Sequence, residues 1–503
     1  MKKHILLALL VTGLMAGPAF ANPGDAEKGA QIYNKRCMWC HGEEGDGTGV
    51  EGNRLNPPPR AFSEGWYKIK SSAFDDDIVK DEDIFRMIKE GMPGTAMPGW
   101  SDILSDQDMW DLVVYLKALA GLEEEKATKD VDYGSEIKSS PESIAKGKEL
   151  FIDRCAECHG DTGKGVSIKK LKDDLGYRTW PRNLTKLWTY RGSNSPKDIF
   201  TRITVGIPGT QMPSFADPGS NKKLSIEERW HVSNFVASLA ETEKVVDGEN
   251  IVIQVQKIEG ALPDSPEDPK WAESVSTTLG LIPQFIADER LFTPSNDTIT
   301  ARAFYNDEEI AIFLEWDDRT KSIPGDVNAQ NISDAEMGED GVAIQFPVVI
   351  PDGMEKPYFG MGDAANPVNI WHWKSGTTES PETINLLNSK GFGEIEKRDA
   401  SKTGLSAKGN YDKGTWRVVM KRPLNTDEAE NDLQIKKGKF IPVAFAAWDG
   451  SNSEKGSKHT MTTWYWLFLK PAASANVYIV PIVVMLLIVG AELWWARSAT
   501  KKN

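Results

Sequence analysis

The sequence predicts a multidomain chain: two all-α domains in tandem, one all-β sandwich domain and one C-terminal transmembrane helix. Three observations lead there. A segment of about 100 residues occurs twice in the first half, its matching stretches 115–120 residues apart. Beyond residue 241 the chain turns to β-branched and aromatic runs bounded by Gly, Asp, Asn and Pro. Near its end comes an almost unbroken apolar stretch from Val477 to Ala491. A length of 503 residues suggests about three domains, and a net charge of −15 argues for an acidic soluble surface and against nucleic acid as a partner.

Residues 1–21 have the anatomy of a secretory signal peptide. Lys2 and Lys3 are followed by an apolar run from Ile5 to Met15 and by the small-x-small site Ala19-Phe20-Ala21. The mature chain is expected to begin near Asn22.

The repeat is carried by three matching segments. "GAQIYNKRCMWCHGEEGDG" matches "GKELFIDRCAECHGDTGKG", and "DIFRMIKEGMPGTAMPGW" matches "DIFTRITVGIPGTQMPSF". "LSDQDMWDLVVYLKALAG" matches "LSIEERWHVSNFVASLAE"; both open with a helix-start signature, Ser105-x-x-Asp108 and Ser225-x-x-Glu228. Apolar residues then recur at helical spacing: Met109, Leu112, Val113 and Leu116 in one copy, Val232, Phe235, Val236 and Leu239 in the other. The copies occupy residues 22–122 and 144–242, joined by a polar linker over 123–143.

Six later runs, from "NIVIQVQKI" to "TTWYWLFLK", alternate as half-buried strands do and predict an antiparallel sandwich over 248–471. Residues 476–496 supply the roughly 20 apolar positions that a bilayer span needs. Trp494 and Trp495 suit its interface, and Arg497, Lys501 and Lys502 in the tail, 497–503, favour the cytoplasmic side. A buried C-terminal helix is the competing reading, supported by Pro481 and Glu492. The expected location is exported, at the periplasmic face of the inner membrane, with contact to membrane lipid through this one helix.

All four cysteines fall in Cys-x-x-Cys-His: Cys37, Cys40 and His41, then Cys155, Cys158 and His159. A thioredoxin-like dithiol would want a βαβ setting, and a zinc site would need further Cys or His nearby. A covalent haem site is complete as it stands: two thiols form thioethers and the histidine ligates iron. For the sixth ligand "GMPGTAMPGW" offers Met92 and Met97, whereas "GIPGTQMPSF" keeps only Met212, which aligns with Met97. Met97 and Met212 are therefore the expected axial partners of His41 and His159, a pairing that raises the reduction potential. His231, on the last helix of copy two, reads as surface or core filler. Over both repeats the residues and layout resemble class I cytochrome c domains, implying two haem c groups.

The third domain contains "FLEWDDRT" (313–320), "YFGMGDAANPVNIWHWKSG" (358–376), "GTWRVVMKRPL" (414–424) and "AFAAWDGSNSEKGSKHTMTTWYWLFL" (444–469). In these stretches it resembles the haem-binding γ subunit of the type II DMSO-reductase family, as in ethylbenzene dehydrogenase, chlorate reductase, dimethylsulfide dehydrogenase and nitrite oxidoreductase. The resemblance implies one haem b held between a methionine, matched by Met361, and a lysine, best matched by Lys458. Lysine ligates only when neutral, so burial and the iron's charge must depress its pKa. Lys455, Lys421 and His459 remain open as rivals.

With no Ser/His/Asp set, phosphate loop or iron–sulfur-type cysteine cluster, the chain reads as an electron-transfer wire and not as an enzyme. The resemblance implies as partners a molybdenum catalytic subunit and an iron–sulfur subunit. The family's γ subunits usually lack fused cytochrome domains and an anchor, so this chain would replace a separate soluble cytochrome. Two alternatives stay open: a subunit serving a quinol-oxidising membrane cytochrome b, and a dihaem cytochrome carrying a haem-free ligand-binding sandwich.

Overall fold

The structure is a computed structural model. It describes residues 24–240, 251–471 and 476–500, apart from 53, 54, 56, 57, 66, 93, 94, 167, 168, 177, 178, 187, 188, 192, 285, 292, 293, 334 and 354. The expected signal peptide lies outside the described residues.

Among the described residues each repeat has four α-helices. The first has α1 (Ala26–Arg36), α2 (Met38–His41), α3 (Asp81–Glu90) and α4 (Asp106–Leu119). The second has α5 (Pro141–Arg154), α6 (Ala156–His159), α7 (Pro196–Val205) and α8 (Ile226–Ser238). Both expected helix starts are capping boxes: Ser105 with Asp108 and Ser225 with Glu228 each satisfy two free N–H groups. The apolar stripes face inward, with Met109, Leu112, Val113, Leu116, Val232, Phe235 and Val236 all buried. First and last helices of each repeat cross at a glycine. A Cβ on Gly29 would stand 2.1 Å from Asp111 O, and one on Gly147 2.0 Å from His231 O. Only glycine lets these backbones approach so closely.

The linker is less independent than its composition suggests. Asp76 of the first repeat accepts the Thr128 and Lys129 N–H groups at 2.6 and 2.8 Å, and Val131 packs with Phe200, Val205 and Trp230 of the second. Helix α5 begins at Pro141, inside the expected linker, with Ser140 as its cap. Lys68 Nζ to Asp173 (3.0 Å) and Arg86 to Asp198 (3.3 Å) add ion pairs between the repeats.

The third domain is built from β1 (Val252–Lys257), β2 (Thr277–Gly280), β3 (Ile282–Pro283), β4 (Thr298–Tyr305), β5 (Glu309–Asp317), β6 (Gly341–Pro347), β7 (Val368–Lys374), β8 (Thr383–Ser389), β9 (Ile395–Arg398), β10 (Ser406–Asp412), β11 (Thr415–Pro423), β12 (Phe440–Trp448), β13 (Thr460–Met461) and β14 (Tyr465–Leu469). The main path runs β10-β11-β5-β4-β1-β14-β12-β6-β7-β8-β9, folded over so that two faces enclose one core. Ile312, Leu314 and Trp316 from one layer meet Ile344, Phe346 and Trp371 from the other. The expected all-antiparallel pairing is corrected at β1, which runs parallel to both β14 and β4 and joins the layers. A parallel neighbour needs a long connection; here the rest of the domain lies between β1 and β14.

The strand registers define two ends. Lys257, Tyr305, Phe440 and Leu469 mark one; Thr298, Asp317, Gly341 and Trp448 mark the other. Helix α9 (Asn476–Thr500) follows the first end, and Ile479–Arg497 is long and apolar enough to cross a membrane. It continues past the expected boundary at residue 496. Pro481 lies near its start, where few upstream carbonyls are lost as acceptors.

Candidate functional site

In each repeat the first cysteine caps the first helix, and the next four residues form one further turn that ends on the histidine. His41 Nδ1 lies 3.0 Å from Arg60 O, and His159 Nδ1 lies 3.0 Å from Arg182 O. A carbonyl can only accept, so Nδ1 carries the proton and the Nε2 lone pair is free for a metal. Burial lowers both imidazole pKa values, holding the rings neutral. The four thiols are unbridged, and burial pushes Cys37 and Cys155 up to about 12. That is the opposite of an activated dithiol.

The methionine loops are superimposable in their hydrogen bonds. Met97 N donates to Thr95 Oγ1 and Met212 N to Thr210 Oγ1, both at 3.2 Å. Met92 N donates to Met97 O at 3.0 Å and Ile207 N to Met212 O at 3.1 Å. Met92 thus occupies the structural place of Ile207, and Met97 that of Met212.

Cys155, Cys158, His159 and Met212 line a cavity of about 1660 Å³. Its wall is shared: Leu55, Lys68 and Arg86 come from the first repeat, and Leu281, Asp297 and Arg319 from the sheet domain. The second repeat meets the sheet at the far end from α9. Lys186 Nζ reaches Asp317 Oδ2 at 2.8 Å and Thr298 Oγ1 at 2.6 Å; Lys164 Nζ reaches Thr415 Oγ1 at 2.9 Å. Arg319 covers the Trp180 ring and donates to Pro181 O at 3.3 Å.

Met361 sits in a left-handed conformation (φ 68°) on the loop before β7. It packs on the outer face of the β6–β7–β12 layer, against a cluster that includes Ala343, Ala444, Ala446, Trp448 and Trp464. Three alanines in that cluster leave a shallow apolar floor. Lys458 lies half-buried in the turn after β12, its N–H donating to Lys455 O at 3.0 Å. Trp448 connects the two places: it touches the Met361 cluster, and its Nε1 donates to Gly456 O at 2.9 Å. His372 stacks on Trp448 and His459 lies tilted against it, both with ring centroids 4.6 Å away. Of the rival lysines, Lys421 pairs with Glu309 on β5 and Lys455 with Glu336.

Residues 26–120 and 144–240 match the cytochrome c family, while 268–404 and 386–460 match the ethylbenzene dehydrogenase family. A Haloferax mediterranei protein named as a respiratory nitrate reductase haem subunit is 30% identical over 48% of this chain and 82% of its own length. The chlorate reductase γ subunit of Ideonella dechloratans is 30% identical over 43% of this chain and 83% of its own. The chain belongs to the ethylbenzene dehydrogenase family. The dimethylsulfide dehydrogenase γ subunit of Rhodovulum sulfidophilum is 25% identical over 46% of this chain and 86% of its own.

In this family member, then, two cytochrome c domains precede an ethylbenzene dehydrogenase domain. Their donor sets fit haem c: paired thiols, a neutral imidazole with a free Nε2, and a methionine loop with the same hydrogen bonds in both repeats. The ethylbenzene dehydrogenase domain offers an apolar floor beside a thioether and a lysine turn. His231 is core filler, its Nδ1 2.8 Å from Ser143 Oγ. Missed by sequence reasoning were the carbonyls of Arg60 and Arg182, the docking residues Lys186 and Asp317, and a cluster of buried aspartates. Only the acidic pair Asp317-Asp318 closing "FLEWDDRT" hinted at the last two.

Proposed function

We propose that this chain is the membrane-anchored electron-transfer subunit of an exported oxidoreductase, wired by two haem c groups and one haem b. Its partners in this reading are a molybdenum catalytic subunit and an iron–sulfur subunit. The observation that carries the proposal is the shared cavity around His159, walled by both cytochrome domains and by the docking end of the sheet. That cavity touches the first cytochrome domain on one side and the sheet domain on the other, as a relay site would.

Haem, when bound, supplies reversible one-electron exchange at iron. The chain's own residues do the rest. Cys37, Cys40, Cys155 and Cys158 tether covalently, which retains haem in domains of about 100 residues with small cores. His41 and His159 present Nε2, oriented through Nδ1 by fixed carbonyls, and with Met97 and Met212 they would hold the haem iron. In the ethylbenzene dehydrogenase domain Met361 and Lys458 hold haem b, with Trp448 positioning both. Helix α9 anchors the assembly, and residues 1–21 direct export.

Haem content tests this reading. Three haems per chain, two of them covalent, support it; two in all would convert the sheet domain into a haem-free binding module. Co-purification from native membranes distinguishes a molybdenum enzyme from a quinol-oxidising cytochrome b as partner.

A further inference from the structure

Asp318 follows β5, Asp340 precedes β6 and Asp449 follows β12, so three strand ends bring three carboxylates together. One oxygen from each lies within 4.8 Å of the others, and the residues are 4%, 0% and 3% exposed. Such a cluster of enclosed anions is costly unless something neutralises it.

The hydrogen bonds say what that is not. Asp449 Oδ1 accepts from Ser451 N, Ser451 Oγ and Asn452 N at 2.9, 2.6 and 3.2 Å. Its Oδ2 accepts from Ser295 Oγ, and Glu454 Oε2 takes the Asp449 N–H at 3.0 Å. Asp340 Oδ1 accepts from Gly450 N (2.9 Å); Oδ2 accepts from Ser322 N (2.7 Å) and Trp416 Nε1 (2.8 Å). These neighbours are donors, as ionised carboxylates require; a protonated carboxyl would find few acceptors. Asp318 is different. Oδ1 accepts from Thr320 N at 3.2 Å, but Oδ2, fully enclosed, has no partner. Asp340 Oδ1 and Asp449 Oδ2 each accept a single hydrogen bond and keep a lone pair, so with the unpartnered Asp318 Oδ2 the three carboxylates supply half of a six-oxygen coordination shell.

Among the described residues no lysine or arginine forms an ion pair with the three carboxylates. Arg319 lies within electrostatic reach of Asp449 and Asp318 but donates to Ser295 O (2.9 Å) and Pro181 O (3.3 Å), and Lys321 lies over the Trp416 ring. Burial and mutual repulsion push Asp318 and Asp340 up, Asp340 to about 7.

We propose that Asp318, Asp340 and Asp449 bind one calcium ion. The donors are all oxygen, with no His or Cys in the group, which selects a hard cation. Bound there, calcium clamps the ends of β5, β6 and β12. That is the end on which the second cytochrome domain docks through Asp317, and it also roots the 449–458 turn that carries Lys458. The site is independent of any haem assignment.

The test uses the full-length, haem-loaded protein in detergent. Elemental analysis should find one calcium per chain after dialysis without chelator. EGTA should lower Tm by on the order of 5 °C, and calcium, not magnesium, should restore it. Asp318→Asn should cut retained calcium at least tenfold. Because the wild-type chelation experiment needs no variant, misfolding of Asp318→Asn does not blunt the test. A chain with an intact haem c spectrum, no stoichiometric calcium and an EGTA-insensitive Tm overturns the proposal, and so does retention of magnesium in place of calcium.

Discussion

Lys186 of the second cytochrome domain places its ammonium 2.8 Å from the carboxylate of Asp317, the last residue of β5. Both side chains are mostly covered, so the pair is a fixed joint between domains. Lys186→Met leaves Asp317 enclosed without its cation and is expected to weaken docking by up to about 3 kcal/mol. Hydrogen exchange at residues 298–300 and 415–417 should rise. Burial alone would raise the Asp317 pKa, but Lys186 and Lys164 outweigh it and the net shift is downward. A carboxylate with a depressed pKa contributes stability above its free value of about 4 and loses it as pH falls below. The joint should therefore loosen in acid, and unchanged exchange from pH 6 to pH 3.5 would contradict it.

Replacing Cys37 and Cys40 together with alanine should remove one covalent haem and leave the second domain loaded, since each repeat carries its own complete set. Haem-stained denaturing gels would show half the wild-type signal. Full signal in the double variant would sink the assignment.

Met97→Ala and Met212→Ala should each abolish one methionine–iron charge-transfer band and lower one haem c potential. Met92→Ala should do neither, because Met92 N–H bridges the loop to Met97 O as Ile207 does to Met212 O. Loss of the band in Met92→Ala alone would reverse the assignment.

Met361→Ala should change the haem b spectrum to that of a five-coordinate or water-ligated iron, and Lys458→Ala should increase haem b loss on gel filtration. His459→Ala serves as the control. If that variant loses haem b while Lys458→Ala keeps it, the nitrogen ligand is the adjacent histidine, which shares the Trp448 ring with His372.

Much of this architecture was written locally. A serine three residues ahead of a carboxylate announced α4 and α8, and apolar residues at helical spacing named the buried faces, because such signals act within one or two turns. The parallel placement of β1 had no local signal: nothing in "IVIQVQ" distinguishes a strand that pairs with Trp466 from one that forms a hairpin. The linker misled through composition, since its many charges outnumber Val131, Tyr133 and Ile137, the side chains that seat it against Phe200 and Trp230. Within the candidate sites, contiguous Cys-x-x-Cys-His could be read directly. Asp318, Asp340 and Asp449, far apart in sequence, converge only once three strands have been brought side by side.

The polarity of the strands has a consequence for where electrons can leave. Leu469 ends β14 at one end of the sheet, and only residues 470–475 separate it from α9. Six residues extend to roughly 20 Å at most, so with α9 in the bilayer that end stays close to the lipid surface. Asp317, which receives the second cytochrome domain, closes the nine-residue β5 at the opposite end, about 30 Å away at ~3.4 Å per residue. With its strands along the membrane normal the sheet domain would be a pedestal. It would then lift covalently bound haems clear of the headgroups, away from a redox centre buried in the membrane and within reach of carriers that diffuse past in the aqueous compartment.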